Sequence, residues 1–178
     1  TNAVSEYNMK KEWFHFGIGI GAIPSLDNPR VLKNGHPNFP RSDELFHIFG
    51  TNINGEIRAY SKEEIRGHEI YNELYPGPVY FEIAIGYCPL YNLAAVFSRY
   101  LKSQNKVLTL TPSGWTYGEL AGNSLFVLAD KETHSLWFRM KREGKTGLFC
   151  IAGEYQHEFL EEIKLLERKS WEEWIFEN

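Results

Sequence analysis

A histidine, a carboxylate and an arginine held on facing strands are enough for acid–base chemistry on an anionic substrate. Residues 44–60, ELFHIFGTNINGEIRAY, offer that set, because Asn54–Gly55 is the strongest turn signal in the chain and specifies a two-residue hairpin. Counting outward, Ile53 faces Glu56, Thr51 faces Arg58 and Phe49 faces Tyr60. His47, Glu56, Arg58 and Tyr60 are then candidate catalytic residues on a polar, aromatic face, with Phe46, Ile48, Ile57 and Ala59 on the core face. An ordinary solvated sheet face has the same composition and is the competing reading.

Other chemistries fail at named positions. Gly17, Gly19 and Gly21 imitate a nucleotide fingerprint but alternate with isoleucines inside a strand pattern, whereas a dinucleotide site needs a strand-to-helix turn. Gly144-Lys145-Thr146 resembles the end of a phosphate loop, but Arg139 stands where the earlier glycine belongs. His68-Glu69 and His157-Glu158 begin like a zinc-protease helix, but Asn72 and Glu161 occupy the second histidine positions. No metal site and no cofactor are expected. Cys88, ahead of Pro89, has no histidine placed near it by sequence and reads as a structural thiol.

The elements that would position these residues suggest an α+β domain. Trp13–Ile23 has strand periodicity with one face bare of side chains, which lets a neighbouring backbone or ring pack close. Residues 24–42 carry four prolines and form a long loop of mixed charge. Ser61 and Glu64 have capping-box spacing, so a helix is expected from Lys62 to about Leu74, ending at Pro76-Gly77-Pro78, with a strand from Pro78 to about Tyr87. Leu90, Leu93, Ala94, Phe97, Tyr100 and Leu101 form the stripe of a second helix opened by Pro89. Three alternating strands follow between residues 124 and 153. Tyr155, Phe159, Leu160, Ile163 and Leu166 predict a C-terminal amphipathic helix over 154–169, and Ser170 with Glu173 caps a short terminal one. The expected architecture is an antiparallel-rich twisted sheet with about three helices, in one domain over 1–178, residues 1–11 being disordered or appended.

With 178 residues, 43% hydrophobic and 24% charged, the chain is an ordinary globular one. Charge is uneven: −3 over residues 1–89, +4 over 90–153 and −5 over 154–178. No dense Lys/Arg stripe exists for phosphate neutralisation, so nucleic acid is not an expected partner. No apolar run approaches a membrane span, and two isolated cysteines suit a reducing, cytoplasmic setting. An acidic domain rich in aromatics and lacking a catalytic constellation suggests binding to another protein. The expectation is an immunity- or antitoxin-type inhibitor that occludes a basic toxin domain. Asp27, Arg30, His36, Arg41 and Asp43 in the long loop are its candidate contacts, joined by Trp137 and Arg139 if the outer face of the late strands is uncovered. A small enzyme or ligand-binding domain is the alternative.

Overall fold

A computed structural model describes residues 2–76 and 81–178, so the expected strand entry at Pro78 lies outside the described residues. Half of the chain is strand and 14% helical, which overturns the α+β expectation in favour of a mostly β fold. After α1 (Ala3–Glu6) come β1 (Phe14–Phe16), β2 (Leu26–Asp27), β3 (His47–Ile53) and β4 (Glu56–Ser61). Next are α2 (Lys62–His68), β5 (Ile70–Tyr75), β6 (Phe81–Cys88) and β7 (Leu93–Ser98). The short pair β8 (Tyr100–Leu101) and β9 (Lys106–Val107) leads to β10 (Leu110–Leu120), β11 (Asn123–Asp130), β12 (Leu136–Arg142) and β13 (Lys145–Ala152). The chain closes with β14 (Phe159–Leu166), β15 (Arg168–Ser170) and α3 (Trp171–Glu177).

Ten strands form one curled half-barrel in the order β1-β10-β11-β12-β13-β14-β7-β6-β5-β2, and β15-β3-β4 form a second, three-stranded sheet. Two expected helices are strands of the large sheet. Residues Leu93–Phe97 are a continuous apolar run, which reads equally as a buried helix or a strand covered on both faces. In β7 the run splits: Ala95 and Phe97 face the half-barrel interior with Trp137 and Leu148, whereas Ala94 and Val96 face Phe49 and Tyr87. The stripe over 154–169 misled for another reason. A register shift between Glu162 and Lys164 breaks the alternation of β14, so Leu160 is buried in the half-barrel interior and Leu166 on the opposite face with Phe49 and Tyr87.

The expected α2 stops at His68, because Glu69 takes a positive φ and β5 begins at Ile70. Its cap forms through the serine alone, Ser61 Oγ accepting from the Glu64 N–H, whereas Ser170 and Glu173 complete the reciprocal box at α3. The leader is part of the fold, since Ala3 is fully buried and the Tyr7 ring meets Phe149 edge-on at 5.9 Å.

Non-neighbouring strands close the half-barrel through side chains. Asn72 on β5 donates from Nδ2 to the Leu110 carbonyl at 2.8 Å and accepts the Leu110 N–H at 3.0 Å, imitating a strand pair with β10. Arg99 donates to the carbonyls of Ile83, Leu108 and Glu73 at 2.9, 2.8 and 3.2 Å. Both side chains are buried, and these bonds satisfy backbone groups that the ladder leaves open. Among the described residues, no helix is long and apolar enough to cross a membrane.

Candidate functional site

The hairpin has the expected register and φ values of +54° at Asn54 and +84° at Gly55, and Ile48 of the expected core face is buried, but the face expected to be polar is packed as well. Phe49, Thr51, Ile53 and Tyr60 are buried against β5 and β6, while Ile57, expected in the core, is 44% exposed. The polar groups on the buried face are paired. Tyr60 Oη donates to Glu73 Oε2 at 2.6 Å, and Arg58 bridges Glu56 at 3.2 Å and Glu73 at 3.4 Å. The Arg58 guanidinium also lies 4.5 Å over the Tyr75 ring, whose hydroxyl meets Thr51 Oγ1 at 2.9 Å. Burial and the adjacent Glu73 push the Tyr60 hydroxyl far up, and burial also holds the Glu73 carboxyl above the usual carboxylate range. Thus Glu56, Arg58 and Tyr60 come together around Glu73, a residue that sequence reasoning did not place there. His47 does not join them. It is exposed at the opposite end of β3, across from Ser170. The network ties the two sheets together and leaves no room for a substrate to reach Glu73, which is 3% exposed.

The remaining candidates separate into buried and exposed sets. Trp137 is fully buried, its Nε1–H donating to Asp130 Oδ2 at 2.8 Å, so the late strands' second face is covered by the curl of the sheet itself. Arg139 makes a two-pronged pair with Glu162 at 2.5 and 3.0 Å. Asp27 accepts from Lys131 and from Asn72, each at 2.8 Å, and these bonds hold its carboxyl below the usual range against the opposing effect of burial. In the loop, Arg30 bonds His36 at 2.8 Å and exposed Arg41 pairs with exposed Asp43 at 3.1 Å.

A different site forms where the glycine segment crosses β10. After β1 the chain leaves the sheet, and the Gly17 N–H donates to the Gly114 carbonyl at 2.9 Å. Gly114 has a φ of +83°, and a Cβ there would lie 1.3 Å from the Ile18 carbonyl oxygen, so only glycine admits this crossing. The expected close packing occurs at Gly17, against a bulge in β10, whereas a side chain at Gly19 or Gly21 would meet nothing within 4 Å, and the segment is a loop rather than a longer strand.

The crossing walls a cleft of about 240 Å³ between Ile18, the end of α2, the Cys88–Leu90 turn, and Trp115 and Phe126 of β10 and β11. Glu69 is the one carboxylate on its walls. Its backbone sits at φ +61°, ψ −30°, outside the wells that side-chain-bearing residues favour, a conformation that costs on the order of 1–3 kcal/mol. Two backbone bonds hold it there: its N–H donates to Ile65 at 2.6 Å and its carbonyl accepts from Tyr87 at 2.8 Å. Next to it, His68 Nδ1 donates to the Pro24 carbonyl at 2.8 Å. Among the described residues the Glu69 carboxyl has no hydrogen-bond or ion-pair partner, and burial pushes it up from 4.5 to about 7.

Cys88 lines the same cleft but is poorly suited to attack. Its Sγ points to the Ser124 carbonyl at 3.8 Å, and burial raises the thiol, so little thiolate forms. Cys150 is likewise free and buried, its thiol pushed up to about 12. No group of three metal-ligating side chains occurs among the described residues. Sequence reading passed over Glu69 because it tested the residue only as part of a zinc motif. Its usable signals were Gly67 beside a helix end and the unexplained glycines at 17–21 and 114.

The chain belongs to a family described as a protein of unknown function (DUF3179), whose model matches residues 20–177. No curated protein and no solved structure matches it.

Proposed function

We propose that this chain is a small-molecule binding protein whose site is the cleft at Glu69. The observation that carries this reading is a carboxyl group without a partner among the described residues, held on strained backbone in a mostly apolar cleft. Strain and an uncompensated acid cost stability, and both are characteristic of binding and catalytic sites. Ligand sites are typically concave, apolar and furnished with few polar groups, which describes this one. Glu69 is the polar anchor, a group able to donate or accept a proton near neutral pH. Ile18, Leu90, Trp115 and Phe126 supply the apolar walls. At about 240 Å³ the cleft is smaller than the roughly 300–1,000 Å³ of drug-sized sites, so the ligand is small. Amide NMR with small alcohols and amines as probes tests the site. The expected result is shift changes concentrated at Gly17, Gly19, Glu69, Gly114 and Thr116. Changes scattered over the surface, or none at millimolar probe, contradict it.

Inhibition of a partner enzyme by occlusion is a second reading, supported by the exposed loop around Arg41 and Asp43, where Leu45 is 96% exposed. It requires a stoichiometric partner that is lost when Leu45→Asp and Arg41→Glu are combined; a chain that stays alone through native purification contradicts it. Two free, buried thiols support a reducing compartment such as the cytoplasm for either reading.

A further inference from the structure

We infer that the ligand of the Glu69 cleft is an organic ammonium ion, a small amine carried on an apolar body. This rests on the cleft being a binding site and adds the class of compound it takes.

Charge and shape together narrow the choice. Glu69 is the sole formally charged side chain lining the cleft, and among the described residues no lysine, arginine or histidine pairs with its carboxyl. A ligand that fills the cleft removes the water still reaching that carboxyl. Dehydrating an acid is costly unless the ligand brings a donor, and a cation compensates best. An apolar ligand without such a group deepens the penalty. An anionic ligand adds repulsion to it, since no lining residue carries positive charge.

The walls fit the same compound. Trp115 and Phe126 line the cleft with Glu69, and a carboxylate beside aromatic rings is a setting in which ammonium groups are held, by charge and by the ring quadrupole. Ile18 and Leu90, 45% and 46% exposed, continue the apolar surface toward the mouth, where the ligand's hydrocarbon part would lie. A bare metal ion is a poor alternative, because a single carboxylate among apolar residues lacks the several oxygen or nitrogen donors it needs. The thiol of Cys88 offers no covalent route, being buried and turned toward the Ser124 carbonyl.

Calorimetry with hexylammonium and hexanol, which share a chain and differ in the head group, tests the inference at pH 8. Wild-type protein should bind hexylammonium at least ten-fold more tightly than hexanol. Glu69→Gln should remove most of that preference by weakening hexylammonium binding, without lowering the melting temperature. If hexanol binds as well as hexylammonium, or if Glu69→Gln leaves the preference intact, the ammonium assignment is overturned and the cleft stands as a site for neutral compounds. If neither compound binds, both the assignment and the cleft reading fall. Should Glu69→Gln fold poorly, the preference in the wild-type protein alone still decides the matter.

Discussion

Glu69 combines a positive-φ backbone with a carboxyl that burial disfavours in its charged form. Its carboxyl ionises at about 7 in the folded chain, against an ordinary value of 4.5, because burial disfavours the charged form. Between those pH values the folded chain holds a proton that the unfolded chain has released. Stability therefore falls as pH rises from about 4.5 to about 7 and stays at the lower level above that. Glu69→Gln should flatten this component, so that denaturant midpoints of wild type and variant diverge between pH 5 and pH 8, with the variant gaining. Parallel pH profiles for the two proteins contradict the assignment. Nothing in the residue types around position 69 announces this shift, because it arises from burial in a cleft whose other walls, Ile18, Trp115 and Phe126 among them, come from distant parts of the chain. The failed zinc motif at His68-Glu69 marked the right residue for the wrong chemistry.

At the scale of elements, local signals were legible and long-range ones were not. The Asn54–Gly55 turn, the pairing register it imposes and both serine caps form as their spacing implies, because each depends on residues within a few positions of each other. The burial of the hairpin's second face and the two lost helices depend on what covers each segment. Leu93–Phe97 is strand because it has a sheet neighbour on either side and a core on either face, facts absent from its own composition. Closure of the half-barrel is equally non-local. Asn72→Ala should leave the buried Leu110 N–H and carbonyl without these partners, at a cost of roughly 1–3 kcal/mol for each group left unmet. Urea unfolding measures this; a loss under about 0.5 kcal/mol, within the range of an ordinary surface change, contradicts the closing role.

Over the whole molecule, the sheet curls until its β5 and β10 portions meet across a core holding Trp137, and a smaller sheet packs on the outer face through Glu73, Arg58 and Tyr60. The polar constellation most visible in the sequence therefore serves assembly of the fold, with His47 apart from it. The cleft instead joins segments around positions 18, 69, 89 and 115, which only the complete topology brings together. Carbon-detected NMR titration of the Glu69 side-chain carboxyl tests this account most directly. The expected result is a single transition near pH 7 in the wild-type protein, moving down when hexylammonium is added. A transition near the ordinary 4.5 would mean that the carboxyl is hydrated or paired, and the cleft would lose the property on which its assignment rests.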